Sequence, residues 1–371
     1  MTRSYAQGSS SALPATAPGG RSGAAERLPA VDIFRGIAIV AVVMHHLTGL
    51  ALRHAGVGSA LSVGLAILNR TLHFVVPAFV FMTAVVLTRS ALRRFDLGGY
   101  YRARVRTALL PYLVWTVLYV LFRVATGQDR PEALSDPQRW QVWVQYGKGY
   151  FHLYFLLIVL QFYLVLPLLL PLWRRRWPFL GVLLGAFALQ FLVYFLNHVG
   201  ALNFRFPGTM AWWYLPALML GMYFGANDGA FEALWGRSRA WIVGAALLTL
   251  AWYVPLAVAE LGGARVNTFA YSAANWAYTA AMTLALFGMA HVLARYRTWW
   301  RASLVYLGTV SLQIYLLHPA VLVYLERWGF PGNPVWFALV LAGYAVIAVG
   351  VPVLLARLLE GTPVSRWLFG R

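Results

Sequence analysis

Cysteine is missing from all 371 residues. The chain can therefore hold no disulfide, no cysteine-ligated zinc and no acyl group on a protein thiol. Charge is scarce as well, at 11% of the chain, where an average soluble protein carries about 25%. Lys148 is the one lysine among 30 basic residues, and the rest are arginine. None of the 11 carboxylates falls in the middle of an apolar run; Glu260 and Glu326 stand at the ends of theirs. Proton-coupled carriers usually place a carboxylate at such a midpoint. There is no Walker motif and no dinucleotide glycine fingerprint. No His-x-x-x-His or Glu-x-x-His spacing occurs, which argues against a metal site.

What is abundant is apolar. Hydrophobic residues make up 61% of the chain and aromatic residues 16%, with a mean hydropathy of +0.66. This is the composition of an all-α, polytopic integral membrane protein in contact with lipid. Runs long enough to span a bilayer lie near 31–51, 71–89, 107–126, 151–172, 178–197, 209–226, 239–259, 269–293, 302–325 and 334–357, about ten in all. The second is the least defined, because apolar character begins at Leu61; 61–68 reads as a short re-entrant or interfacial piece. Residues 1–30, rich in Ser, Gly, Ala and Pro, read as a disordered cytosolic tail. A membrane domain follows over 31–358, then a cytosolic C-terminal tail over 359–371. No cleavable signal peptide is visible, and the first apolar run is long enough to span rather than to be a short leader segment.

The net charge of +19 raises the question of nucleic acid, but the basic residues sit in short segments between apolar runs and form no compact basic domain. With the N-terminus inside, the segments expected on the inner side hold 21 of the 30 basic residues. That bias supports ten spans with both termini inside. The segment 89–106 alone holds six arginines: Arg89, Arg93, Arg94, Arg102, Arg104 and Arg106. Such a loop suits anionic lipid, and it also suits a polyphosphate cofactor, since the guanidinium matches phosphate geometry.

Two polar residues in the first apolar run share a face. Arg35 and His46 are eleven positions apart, so they project within ~20° of each other and stand ~16 Å apart along a helix. His45 points ~80° away from Arg35, so helical phase selects His46. An arginine and a histidine inside a span normally face a cavity or a polar partner. Asp32 lies three residues before Arg35 and can pair with it. In the ninth run, Ser311, Tyr315 and His318 also share one face. His46 and His318 each lie about sixteen residues from the inner end of their helix, and so at the same depth, ~24 Å in. Pro319 removes a backbone N–H and can kink that helix. His73 and His152 open the second and fourth runs at the expected outer face, where an interfacial position is the plainest reading. A hydrogen-bond cluster between helices would also account for Ser311, Tyr315 and His318.

At these residues the chain resembles the membrane acyltransferase family 3, whose members O-acylate cell-surface carbohydrates in bacteria. The landmarks are Asp32 with Arg35-Gly36-Ile37-Ala38 and His46, then Phe79-Val80-Phe81, then Leu110-Pro111-Tyr112-Leu113-Val114-Trp115. His152-Leu153-Tyr154-Phe155-Leu156 and Ser311-Leu312-Gln313-Ile314-Tyr315-Leu316-Leu317-His318-Pro319 complete the set. The resemblance implies a multi-pass enzyme of the bacterial inner membrane. It would move an acyl group, acetyl above all, from cytosolic acyl-CoA to a hydroxyl of a surface or lipid-linked glycan. Acyl-CoA would be a co-substrate, with no permanently bound cofactor, no metal and no nucleic-acid partner. His46 would be the general base, and Arg35, Arg102, Arg104 and Arg106 would hold the CoA phosphates. Tyr315 or His318 would donate to the oxyanion, and His152, His73 and Ser311 would line the substrate site. An acyl-histidine intermediate is a variant of this scheme. The rival from another class is a carrier or flippase for a glycan or lipid, with Arg35, His46 and His318 as binding residues.

Overall fold

The computed structural model describes residues 29–370. The expected N-terminal tail lies outside the described residues, apart from Pro29 and Ala30, which open the first helix. The described residues are mostly helical, with no strand among them. The long elements are α1 Pro29–Leu52, α2 Ala60–Thr71, α3 Val75–Arg93, α4 Leu97–Arg104, α5 Leu110–Ala125, α6 Pro137–Gln145, α7 Tyr154–Trp173 and α8 Phe179–His198. They continue as α9 Leu215–Ala226, α10 Ala230–Leu261, α11 Thr268–Leu293, α12 Trp299–Thr309, α13 Ser311–Trp328, α14 Pro334–Leu359 and α15 Pro363–Phe369.

Eight spans among the described residues are long and apolar enough to cross a membrane, and a ninth forms if α12 and α13 count as one bent span. This is a polytopic membrane protein, with fewer straight crossings than ten. The run at 209–226 is the first difference. It begins with 3₁₀ turns at Pro207–Thr209 and Ala211–Tyr214, and α9 has only 12 residues. That is ~18 Å of helix, short of the ~30 Å hydrocarbon core. The second difference is the run at 302–325, which bends by 79° between α12 and α13. The bend falls at Val310, whereas α13 continues through Pro319 without a break. The third is 61–68, which is no separate re-entrant piece. It belongs to α2, joined to α3 through a 3₁₀ turn at Leu72–Phe74, so that 60–93 forms one apolar span.

Close helix approaches hold this arrangement together. Gly221 and Gly225 of α9 are four apart and meet the backbone of α3, where a Cβ would collide with the carbonyls of Phe81 and Val85. This small-xxx-small spacing is a familiar means of close packing in a bilayer, where lipid offers no hydrophobic drive between helices. A second approach joins α1 and α12: Gly36 lies on the Leu304 carbonyl, and Gly308 on that of Asp32. The expected C-terminal tail is instead part of the packed body. Its α15 is held by the Trp115 indole N–H, which donates to the Leu368 carbonyl at 2.7 Å, and Phe369 is buried.

Gly221→Val should overpack the α3–α9 contact and lower stability by ~1–3 kcal/mol. Gly343, on an open face of α14, should tolerate Ala with no loss. Thermal unfolding of the purified variants checks this, and a Gly221→Val protein as stable as Gly343→Ala would refute the close packing.

Candidate active site

Two cavities meet in the bundle. A histidine chamber of about 270 Å³ is lined by His45, His46, His73 and His152. An arginine chamber of about 280 Å³ is lined by Arg35, Arg104, Thr107, Tyr163 and Ser311. Phe79, Phe155 and Tyr315 line both, so the two chambers are neighbours across a wall of three rings.

The helical phase of α1 places Arg35 and His46 on adjoining chambers, and the matched depth of His46 and His318 becomes a contact. Their rings stack with centroids 5.4 Å apart and planes at 24°. His46 also packs against Phe151 at 4.8 Å and His45 at 5.2 Å. His318 lies 6.0 Å from His152, and His45 lies 5.6 Å from His73. Five histidines from α1, the α2–α3 turn, the start of α7 and α13 thus form one cluster. His73 lines the chamber beside Tyr253. His152 is not at the surface: it is fully buried, edge-on to Tyr119 and Tyr315. Its two ring nitrogens find no protein partner among the described residues.

Hydrogen bonds separate the roles of these rings. A backbone carbonyl only accepts, so the Nδ1 of His318, 2.9 Å from the Ile314 carbonyl, is assigned the proton. In the neutral ring Nε2 then carries the lone pair. At Nε2 His318 therefore offers a lone pair, not an N–H that could donate to an oxyanion. The Tyr315 hydroxyl donates to the His152 carbonyl, which removes it from the oxyanion role too. Ser311 lies on the same face of α13 but in the arginine chamber, away from the histidines.

His45 is tied into α2. Its Nδ1–H donates to the Asn69 carbonyl at 3.0 Å, and the Asn69 amide donates back to the His45 carbonyl at 2.7 Å and to Thr48 Oγ1 at 3.2 Å. His46, by contrast, is held by ring contacts. The bonding pattern leaves His46 the freer of the two.

The three alternate arginines divide. On a helix, Arg102 and Arg106 share a face and Arg104 lies opposite. Only Arg104 of the three lines the chamber, its guanidinium 5.2 Å from the Tyr100 ring centre and 5.1 Å from that of Tyr163. Arg102 and Arg106 are exposed. A π-turn at Val105–Leu109 joins α4 to α5, and it brings Thr107 and Ala108 to the chamber wall. Such turns recur at functional sites. The first turn of α13, at Ser311 and Leu312, lies at the same wall and adds the partial positive charge of a helix N-terminus.

Several residues that build or line the site escaped the sequence reading. Asn69 and Asn275 are amides inside apolar helices, a signal that was there to read. Asn275 lines the histidine chamber with Trp213, Tyr271 and Trp276, and its side-chain oxygen is buried. Trp213 comes from the irregular segment before α9, which helical periodicity cannot place.

A protein-family model described as an acyltransferase domain matches residues 28–357. The chain belongs to acyltransferase family 3. It is a membrane acyltransferase. No curated protein and no solved structure matches it.

Asn69→Leu would remove the two bonds that the amide donates to the His45 carbonyl and to Thr48 Oγ1, while Thr48 keeps its own bonds to the Met44 and His45 carbonyls. A net hydrogen bond contributes about 0.5–1.5 kcal/mol, so the midpoint of thermal unfolding should fall. An unshifted midpoint would show that this link between α1 and α2 carries no stability.

Proposed function

We propose that the chain transfers a short acyl group, acetyl above all, from acyl-CoA to a hydroxyl of a surface or lipid-linked carbohydrate. The observation that carries this reading is the pair of adjoining chambers, with bases on one side of a shared wall and guanidinium groups on the other. The donor's phosphates would lie toward Arg35, Arg104 and the first turn of α13, with its thioester at the wall. The acceptor would enter the histidine chamber, whose Trp213, Trp276 and Asn275 offer the aromatic faces and amide that suit a sugar ring.

In this scheme the proton of the acceptor hydroxyl passes to His46 as its oxygen attacks the thioester carbonyl. The carbon–oxygen bond forms and the carbon–sulfur bond breaks. The proton then leaves His46 for the departing thiolate. His318, stacked on His46 with Nε2 as its lone-pair nitrogen, would orient that ring or relay its proton. The positive-inside pattern supports an arginine chamber that faces the cytosol, where acyl-CoA is made; the membrane would then be a bacterial inner membrane.

General-base catalysis typically contributes 10²–10⁴-fold. His46→Ala should therefore reduce acyl-CoA-dependent transfer by about that factor while acyl-CoA still binds. His45→Ala should lose stability before it loses turnover per folded molecule. Rates normalised to folded protein in the membrane decide the matter, and full turnover by His46→Ala would remove the base assignment.

Donor binding separates the arginines. Arg104→Gln should weaken acyl-CoA binding by up to ~1.5–3 kcal/mol, the range for a hydrogen bond to a charged group. The exposed pair Arg102→Gln with Arg106→Gln should have a smaller effect, because solvent screens it. Titration calorimetry with acyl-CoA reads both; equal losses, or none for Arg104→Gln, would place the phosphates elsewhere.

A further inference from the structure

We propose that Phe79, Phe155 and Tyr315 form a size filter that restricts the donor to short acyl chains; the inference rests on the acyl-transfer reading. These are the three residues common to the linings of the two chambers. Phe79 meets Phe155 with centroids 5.9 Å apart at 62°, and Phe155 meets Tyr315 at 5.4 Å and 66°. The rings therefore stand edge to face, a favoured aromatic geometry that resists sliding. They come from α3, α7 and α13, so helix packing sets their spacing. Phe155 and Tyr315 are buried. The Tyr315 hydroxyl is anchored to the His152 carbonyl, and turning it aside would break a buried hydrogen bond.

A thioester arriving from the arginine chamber presents its acyl end to these rings first. For a hydroxyl activated at His46 to reach the carbonyl, the rest of the acyl chain must lie at the wall or project into the histidine chamber. That chamber holds about 270 Å³, which the acceptor must share. Each added methylene therefore competes with the rings or with the acceptor. The bonds made and broken are those of the transfer itself: carbon–oxygen forms, carbon–sulfur breaks, and the hydroxyl proton goes by way of His46 to the thiolate. The filter changes only which acyl group is carried.

Membranes containing the full-length protein, from cells lacking their own copy, would be given radiolabelled acetyl-CoA or hexanoyl-CoA. Label entering the envelope material of those membranes is the readout, and its hexanoyl-to-acetyl ratio is compared between variants. Wild type should favour acetyl. A methylene in a tight pocket discriminates by about 10–200-fold, so Phe155→Ala should raise the ratio about tenfold or more, and Phe79→Ala should do likewise. Phe155→Leu, a smaller change in volume, should move the ratio less and guards against loss of folding in the alanine variants. An unchanged ratio in variants that still transfer acetyl would overturn the filter and leave the transfer reading standing. Wild type that uses both donors equally would do the same. Wild type that transfers neither would overturn the transfer reading, and the filter with it.

Discussion

The backbone contact between α1 and α12 is the constraint on which the site depends. Gly36 and Gly308 let the two helices touch where any Cβ would collide with a carbonyl. Arg35 lies beside Gly36, and α12 leads directly through the bend into α13. The same contact that seats Arg35 therefore sets the starting point of the helix bearing Ser311, Tyr315 and His318. At the other end of α1, the reciprocal bonds between His45 and Asn69 fix the rotation of the helix. With both ends held, His46 meets His318 without a hydrogen bond between them.

A bilayer makes this economy necessary. Polar side chains in a span are expensive unless they meet partners or line a cavity, and Asn69, Tyr315, His46 and Arg35 each do one or the other. Asn69 is fully engaged with α1, and Tyr315 with the His152 carbonyl. His46 and Arg35 line cavities. The acyltransferase family membership and this division fit together: bonded polar residues build the wall, and cavity-lining ones are proposed to do chemistry.

Much of this was legible in the chain. The period of the α-helix put Arg35 and His46 on one face, and counting from the helix ends put His46 level with His318; both rest on local geometry. The landmarks around Phe79, His152 and Tyr315 marked the helices that converge. What periodicity could not reveal is how helices end and cross. A run of apolar residues at 209–226 looks like a span whether or not its first residues are helical, and the bend at Val310 arises where α12 packs on α1, not at Pro319. The alternate spacing of Arg102, Arg104 and Arg106 did hold the information that they cannot face one cavity together. Which of them does so depends on the π-turn after Arg104.

In the proposed reaction, donor and acceptor reach opposite sides of one ring wall within the membrane. Acyl-CoA is too polar to cross a bilayer unaided, so sealed vesicles of defined orientation test it directly. Labelled acetyl-CoA added outside inside-out vesicles, which expose the face expected to be cytosolic, should label their envelope material. The same donor outside right-side-out vesicles should not. Equal labelling in both orientations, with the vesicles shown to be sealed, would contradict the account.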